Sequence, residues 1–366
     1  MPLRTCGLCG SPRVWLMAGF ASLLMSACGG GTAPSNPVDT STTEVRAEAV
    51  VLRGQERAPL RLPVSAIRAV FGYDQNGLRV NYLESADWRS DGSGIARTDG
   101  SRLPDFGTYR YVANSGPNFS FVSQPRNPPL LIPHQVYVDY LSSRPDRPIV
   151  PVPGAAAERL VVCLGDSIAA GAHTIANYFR DTDDDSYCGL LRQHLGPSSV
   201  VLNPSVPGGT LASVQEQLPR LLALRPQTMI MAFGMNDHVA GAAALPAFEA
   251  LLQETVQQLR SADVRVLLVG FFQQNTRWVR EDPAQTLAYN QALARVAARS
   301  GVAFIDVRDV FARSAPDGQT IESRTGDFMH HPNNFGHRVY FSLLLPHFLT
   351  APVMASAVPG FVDGLD

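Results

Sequence analysis

Net charge, repetition and cysteine are all scarce in this chain of 366 residues. The formal charge is −2 at pH 7, with 30 Lys and Arg against 32 Asp and Glu. No general field therefore exists to draw in nucleic acid or an anionic lipid surface. No solenoid-length period recurs, and the 30 glycines and 28 prolines punctuate turns and linkers rather than building a fibrous repeat. Of five cysteines, Cys6 and Cys9 form a CxxC inside a segment read as removed from the mature protein, which sets aside a metal or redox centre there. Cys163 and Cys188 fall in a strand pattern and a helical pattern, and read as buried free thiols rather than a bridge. What the chain does have is 45% apolar and 17% charged residues, enough for a real core, and a length that calls for two folded units plus processing segments.

The N-terminus reads as an export signal. Arg4 and Arg13 precede the run "VWLMAGFASLLMSA", too short to span a bilayer comfortably and matched to a secretory signal. It ends at "LMSAC", with Ser26 and Ala27 directly before Cys28. That ending resembles a bacterial lipobox, in which the cysteine is lipidated and becomes the first mature residue; Met25 stands where leucine is commoner. Residues 1–27 are expected to be a lipoprotein signal peptide and 28–45, rich in Gly, Ser, Thr and Pro, a flexible tether. Gly29 offers no obvious inner-membrane retention signal. The expected location is the bacterial cell envelope, at the outer membrane, facing the periplasm or the surface.

Residues 46–145 read as a β-rich accessory domain. "VRAEAVVL", "LRVNYL", "TYRYVA", "FSFV" and "HQVYVDY" are short and β-branched or aromatic, separated by "DQNG", "SDGSG" and "NSGPN". No helical period runs through this part, and a small β-sandwich is the expectation. Its aromatics, among them Tyr82, Trp88, Tyr109, Phe119 and Tyr137, read as core filling ahead of a sugar-stacking platform. Residues 146–157, which take in most of "RPDRPIVPVPG", are a proline-punctuated linker.

From residue 158 to 350 the rhythm changes, leaving 351–366 as a tail. Apolar strands "RLVVCLG", "SVVLNPS", "TMIMAFG", "VRVLLVGFF" and "VAFIDV" alternate with helical patterns near 186–195, 211–224, 246–261, 284–299 and 337–349. This alternation predicts a parallel sheet covered on both faces. In such sheets the loops leaving the C-terminal strand ends build the site.

Those loops carry the chemistry. "VCLGDS" ends a strand on Gly165 and presents Ser167, where a nucleophile belongs; alone, a turn serine explains it as well. "NPSVPGGT" then brings Gly208 and Gly209 to the same rim, "GMND" brings the Asn236 amide, and "DFMHHPNNFGH" brings Asp327, His330 and His331. Nucleophile, base, base orienter and oxyanion donors together are the parts for acyl transfer. Other candidates are weaker. "RDTDDDSY" alternates Asp181, Asp183 and Asp185 as a calcium loop does, yet has Ser186 and Arg192 where glycine and glutamate are needed. His173, His194, His238 and His337 lack ligand spacing, and Trp278 reads equally as cleft lining or loop packing.

The order GDS, N-x-x-V-x-G, G-x-N-D and D…H-P-N-x-x-G-H resembles the SGNH (GDSL) hydrolase family over residues 158–350. The resemblance implies a flavodoxin-like three-layer α/β/α sandwich, Ser167 as nucleophile, and an oxyanion hole of the Ser167 N–H, Gly208 and Asn236. Counting from Asn203 favours Gly208 over Gly209. It also implies Asp327 behind a histidine base. The usual Asp-to-His interval of three chooses His330, whereas the H-P-N register chooses His331. Pro332 holds the residue before it extended, which favours His331.

A serine esterase acting through an acyl-enzyme, without a cofactor, is the expectation. A short acyl or acetyl group carried by a glycan is the first substrate reading and a lipid or lysophospholipid ester the second. The rival is a non-catalytic, glycan-binding envelope lipoprotein, which the full set of catalytic residue types disfavours. The partners expected are the ester substrate and, through Cys28, the membrane.

Overall fold

The computed structural model describes residues 43–108, 110–113, 121–124, 132–144, 148–149, 158–314, 321–349 and 353–354. The expected signal peptide, Cys28, nearly all of the tether, Tyr109 and Phe119 lie outside the described residues.

Alternating burial builds the N-terminal module. Strands β1 (Thr43–Val50), β3 (Val64–Tyr73), β4 (Arg79–Tyr82) and β9 (Val136–Ser142) form an antiparallel sheet in the order β1-β9-β3-β4. Strands β2 (Ala58–Pro59), β5 (Trp88–Ser90) and β6 (Gly94–Arg97) form a second sheet, and β7 (Arg110–Ala113) pairs with β8 (Phe121–Gln124). Val45, Leu62, Trp88, Ile95, Val138 and Tyr140 share the core of the two larger sheets, an arrangement of sandwich type. The sequence expectation omits β3. Its pairing with β9 shifts register twice, at Val64/Ala66 and at Ile67/Ala69, and such irregularities break the two-residue alternation by which a strand is recognised.

A two-residue strand β10 (Pro148–Ile149) precedes the second region. There, β11 (Leu160–Gly165), β12 (Val200–Leu202), β13 (Thr228–Ala232), β14 (Arg265–Val269) and β15 (Ala303–Ile305) form a parallel sheet in the order β12-β11-β13-β14-β15. Counted within this sheet the order is 2-1-3-4-5, the flavodoxin-like winding, whose switch point lies between the first and third strands. Helices α2 (Tyr187–Leu195) and α6 (Val307–Arg313) pack on α7 (Asn334–Leu344), while α3 (Leu211–Ala223) and α5 (Pro283–Ser300) pack on α4 (Leu245–Ser261). The result is the expected three-layer α/β/α sandwich. Short helices α1 (Ile175–Arg180) and α6 escape sequence detection, having too few turns to show a period. Helix α7 starts at Asn334 because Asn333 caps it, accepting from the Gly336 N–H.

The two regions share one core. Ala49, Phe71 and Tyr137 of the β module lie in the same apolar cluster as the strands of the parallel sheet. Pro148–Ile149, from the expected linker, pairs with β16 (Val353–Met354) from the expected tail.

Candidate active site

Ser167 follows β11 at the switch point. An added Cβ on Gly165 would come 2.8 Å from Ala232 O and 2.7 Å from Ala169 Cβ, so the sheet's edge admits only glycine there. Asp166 then tightens the turn, its Oδ1 accepting from the Ile168 N–H at 2.8 Å. Ser167 is 7% exposed. Burial pushes the Asp166 carboxyl up to about 7.

The histidine from the far end of the chain meets this serine. His331 Nε2 lies 3.0 Å from Ser167 Oγ, and His331 Nδ1 lies 2.7 Å from Asp327 Oδ2. The other oxygen, Asp327 Oδ1, accepts from the N–H groups of Met329, His330 and His331 at 2.8, 2.9 and 3.1 Å. Burial alone would raise this carboxyl. The nearby His330 and His331 and the His331 hydrogen bond outweigh it and hold the group well below the usual range. His330 Nδ1 also lies 3.1 Å from Asp327 Oδ2. Its ring, however, stacks on Trp278, with centroids 4.3 Å apart and planes 2° from parallel. Trp278 is therefore a buried packing residue, 4% exposed.

His331 sits inside a column of rings. His173 stacks on it at 4.6 Å and 16°, and His330 contacts it at 3.9 Å and 42°. Burial, then the charge of His331, push His173 down to about 4 and His330 down to about 3. His173, Asp327 and His331 bring ligand-type atoms within 4.8 Å of one another. The two imidazole planes are nearly parallel, so their in-plane lone pairs do not converge on a single ion.

The donor side comes from the next two loops. Gly209 N–H bonds to Val206 O at 2.9 Å, while no partner for the Gly208 N–H is found among the described residues. Asn236 Nδ2 lies 3.0 Å from Gly209 O and 3.5 Å from Asp166 Oδ2. Asp237 pins this loop, accepting from the Leu211 N–H at 2.9 Å and the Gly234 N–H at 3.0 Å. Asn203 donates to Asp183 and to Ala169 O, tying the second loop to the first.

The structure thus brings Ser167, Asp327, His331, Gly208 and Asn236 to one rim. The aspartates of "RDTDDDSY" are used locally: Asp183 is bidentate with Arg192 at 2.7 and 2.8 Å, and Asp185 accepts from the Ala176 N–H at 2.8 Å. Cys163 and Cys188 are buried and free. Sequence reasoning did not single out Asp166 or the stacking of His173. The first sits inside the quoted "VCLGDS" and was legible; the second depends on a ring contact across more than 150 residues.

Residues 163–339 match the model of the GDSL-like Lipase/Acylhydrolase family. A search of curated proteins returns no match. Among solved structures, TesA is similar at 22% identity and a TM-score of 0.41, covering 52% of this chain and 97% of its own. A catalytic mutant of Axe2, an acetylxylan esterase from Geobacillus stearothermophilus, is 16% identical with a TM-score of 0.42, covering 52% of this chain and 94% of its own. The esterase EstA from a Pseudoalteromonas species is 16% identical with a TM-score of 0.39, covering 51% and 94%.

Proposed function

We propose that this carboxylic ester hydrolase, with its GDSL/SGNH domain over residues 163–339, uses Ser167 as nucleophile, His331 as general base and Asp327 as the group that orients it. The supporting observation is that one imidazole bridges the serine hydroxyl and the buried carboxylate, at 3.0 and 2.7 Å. Ser167 Oγ attacks the ester carbonyl carbon as its proton passes to His331 Nε2, while Asp327 holds Nδ1–H and stabilises the imidazolium. The tetrahedral oxyanion is held by the N–H groups of Ser167 and Gly208 and by Asn236 Nδ2. The 3.5 Å contact of that amide with Asp166 is at the limit of a hydrogen bond and is readily exchanged for an oxyanion. His331 then gives its proton to the departing alkoxide. Water attacks the acyl-enzyme by the same route and releases the acid.

For the acyl group, our first reading is a short chain, acetyl on a glycan hydroxyl, supported by the expected export and the added β module. One observation favours the second reading, a lipid or lysophospholipid ester. An apolar trough of ≈ 280 Å³ is lined by Asn236 and Thr210 together with Ala244, Ala247, Phe248 and Leu251, room for several methylene groups. A series of nitrophenyl esters from acetate to laurate tests this. Preference for acetate upholds the first reading, and a rise in kcat/KM toward octanoate replaces it with the second.

The proposal extends to location. Cys28 carries the lipid and holds the enzyme at the cell envelope, supported by the small residues that precede it after an apolar run. Cys28→Ala is expected to move the protein from the membrane fraction to the soluble one; unchanged membrane association contradicts the anchor.

A further inference from the structure

We infer that the β module is a working part of the ester-hydrolysing site: through Phe106, Val51 and Gln135 it fixes the loop that carries Asp327 and His331. The inference rests on the roles proposed above for those two residues.

The loop has its own internal shape. Gly326 N–H bonds to His331 O at 2.8 Å, Asn333 N–H to Arg324 O at 2.9 Å, and three further N–H groups converge on Asp327 Oδ1. Such a loop can move as a unit, so its position depends on what holds it from outside. On the sheet side, Asn275 holds it with its side chain on Phe328 O and its N–H on Met329 O, each at 2.9 Å. Further anchors come from the β module.

Phe328, next to Asp327 in the chain, is fully buried. Among the described residues its apolar cluster holds Val51 and Phe106, both from the β module. The Phe106 and Phe328 rings meet edge to face, 5.0 Å apart at 78°, a favourable aromatic geometry. Phe328 also has φ +60, a backbone region that a bulky side chain seldom occupies. Strain of that kind persists only where the surroundings over-determine it. Here the aromatic socket does so, and relaxing it swings the peptide that joins Phe328 to Asp327.

Gln135 supplies the second hold. Its Nε2 donates to Gly326 O at 3.0 Å while its Oε1 accepts from the Tyr137 hydroxyl at 2.7 Å. The tyrosine thereby fixes the sense of the amide, and Gln135 itself is 3% exposed. On the opposite side the loop has no slack, since an added Cβ on Gly326 would lie 2.2 Å from His173 O. The β module therefore presses the loop against the segment whose His173 stacks on His331. Phe106 and Gln135 are positioning residues, acting through Asp327 and His331.

The test uses the full chain with Phe106→Ala, Phe106→Tyr, Gln135→Leu and, as a control for general weakening, Leu60→Ala in the module's own core. Turnover of a short ester, KM, melting temperature and the rate at which a small phosphonate labels Ser167 are measured for each. Phe106→Ala and Gln135→Leu should lower kcat and the labelling rate by about tenfold to a hundredfold, the usual result of a displacement near 1 Å, with KM nearly unchanged. Phe106→Tyr should recover most of both rates. Leu60→Ala should lose melting temperature but neither rate. If Phe106→Ala does not fold, Gln135→Leu decides. Wild-type turnover and labelling in folded Gln135→Leu, or an equal loss in Leu60→Ala, overturns the inference. Equal activity of wild type and Ser167→Ala would instead remove the catalytic assignment itself.

Discussion

His330 lies flat against Trp278, 2° from parallel with ring centroids 4.3 Å apart, while its neighbour His331 turns Nε2 to within 3.0 Å of Ser167 Oγ. Adjacent residues of one type thus meet different partners. His331→Ala is expected to lose nearly as much activity as Ser167→Ala, because members of a catalytic unit are strongly non-additive. His330→Ala, which removes packing beside the proposed base, should cost about tenfold, the effect of a modest misplacement. The same ester assay on both variants decides. A dead His330→Ala beside an active His331→Ala reverses the assignment.

Asn236 is held by Gly209 O and contacts Asp166 only at 3.5 Å, so one amide hydrogen is easily redirected. Asn236→Ala is predicted to lower kcat by about 10²–10³ with little change in KM, as loss of an oxyanion donor does. A loss confined to KM places Asn236 in ground-state binding instead.

His337 gives a pH signature of the fold. Its ordinary value is 6.5; burial, and then the charge of His331, push it down to about 3. The unfolded chain therefore takes up a proton near pH 6.5 that the folded chain refuses until about pH 3. The stability this contributes is complete above that upper value and drains away as the pH falls. His337 Nδ1 accepts from the Tyr187 N–H, and His337→Asn retains an acceptor there. Asp166 and Glu281, both pushed up to about 7 by burial, oppose the trend but are common to both proteins. Urea unfolding of wild type and variant between neutral pH and pH 4 should show a shallower acid decline in the variant, by up to about 1.4 kcal/mol per pH unit. Parallel curves contradict a neutral His337.

Much of the candidate site was legible because its parts are local. Ser167, Gly208 and Asn236 each follow an apolar strand within a few residues, and a parallel sheet brings such loops to one edge. The choice between His330 and His331 was only half legible: Pro332 bears on backbone direction, but the Trp278 stack that occupies His330 is a tertiary contact. Gln135 and Gly326, 191 residues apart, leave no trace in any window of sequence, so the β module could be read as an accessory and no more. Strand β3 was hidden by its own register shifts.

Ser167 is proposed to carry the acyl group between two half-reactions. Mixing the enzyme rapidly with nitrophenyl acetate, quenching in acid and mapping the acyl adduct by peptide mass spectrometry tests it most directly. A burst of nitrophenol approaching one per enzyme and an acetyl group on the peptide containing Ser167 are expected, and neither in Ser167→Ala. An adduct on another residue, or undiminished turnover in Ser167→Ala, contradicts it.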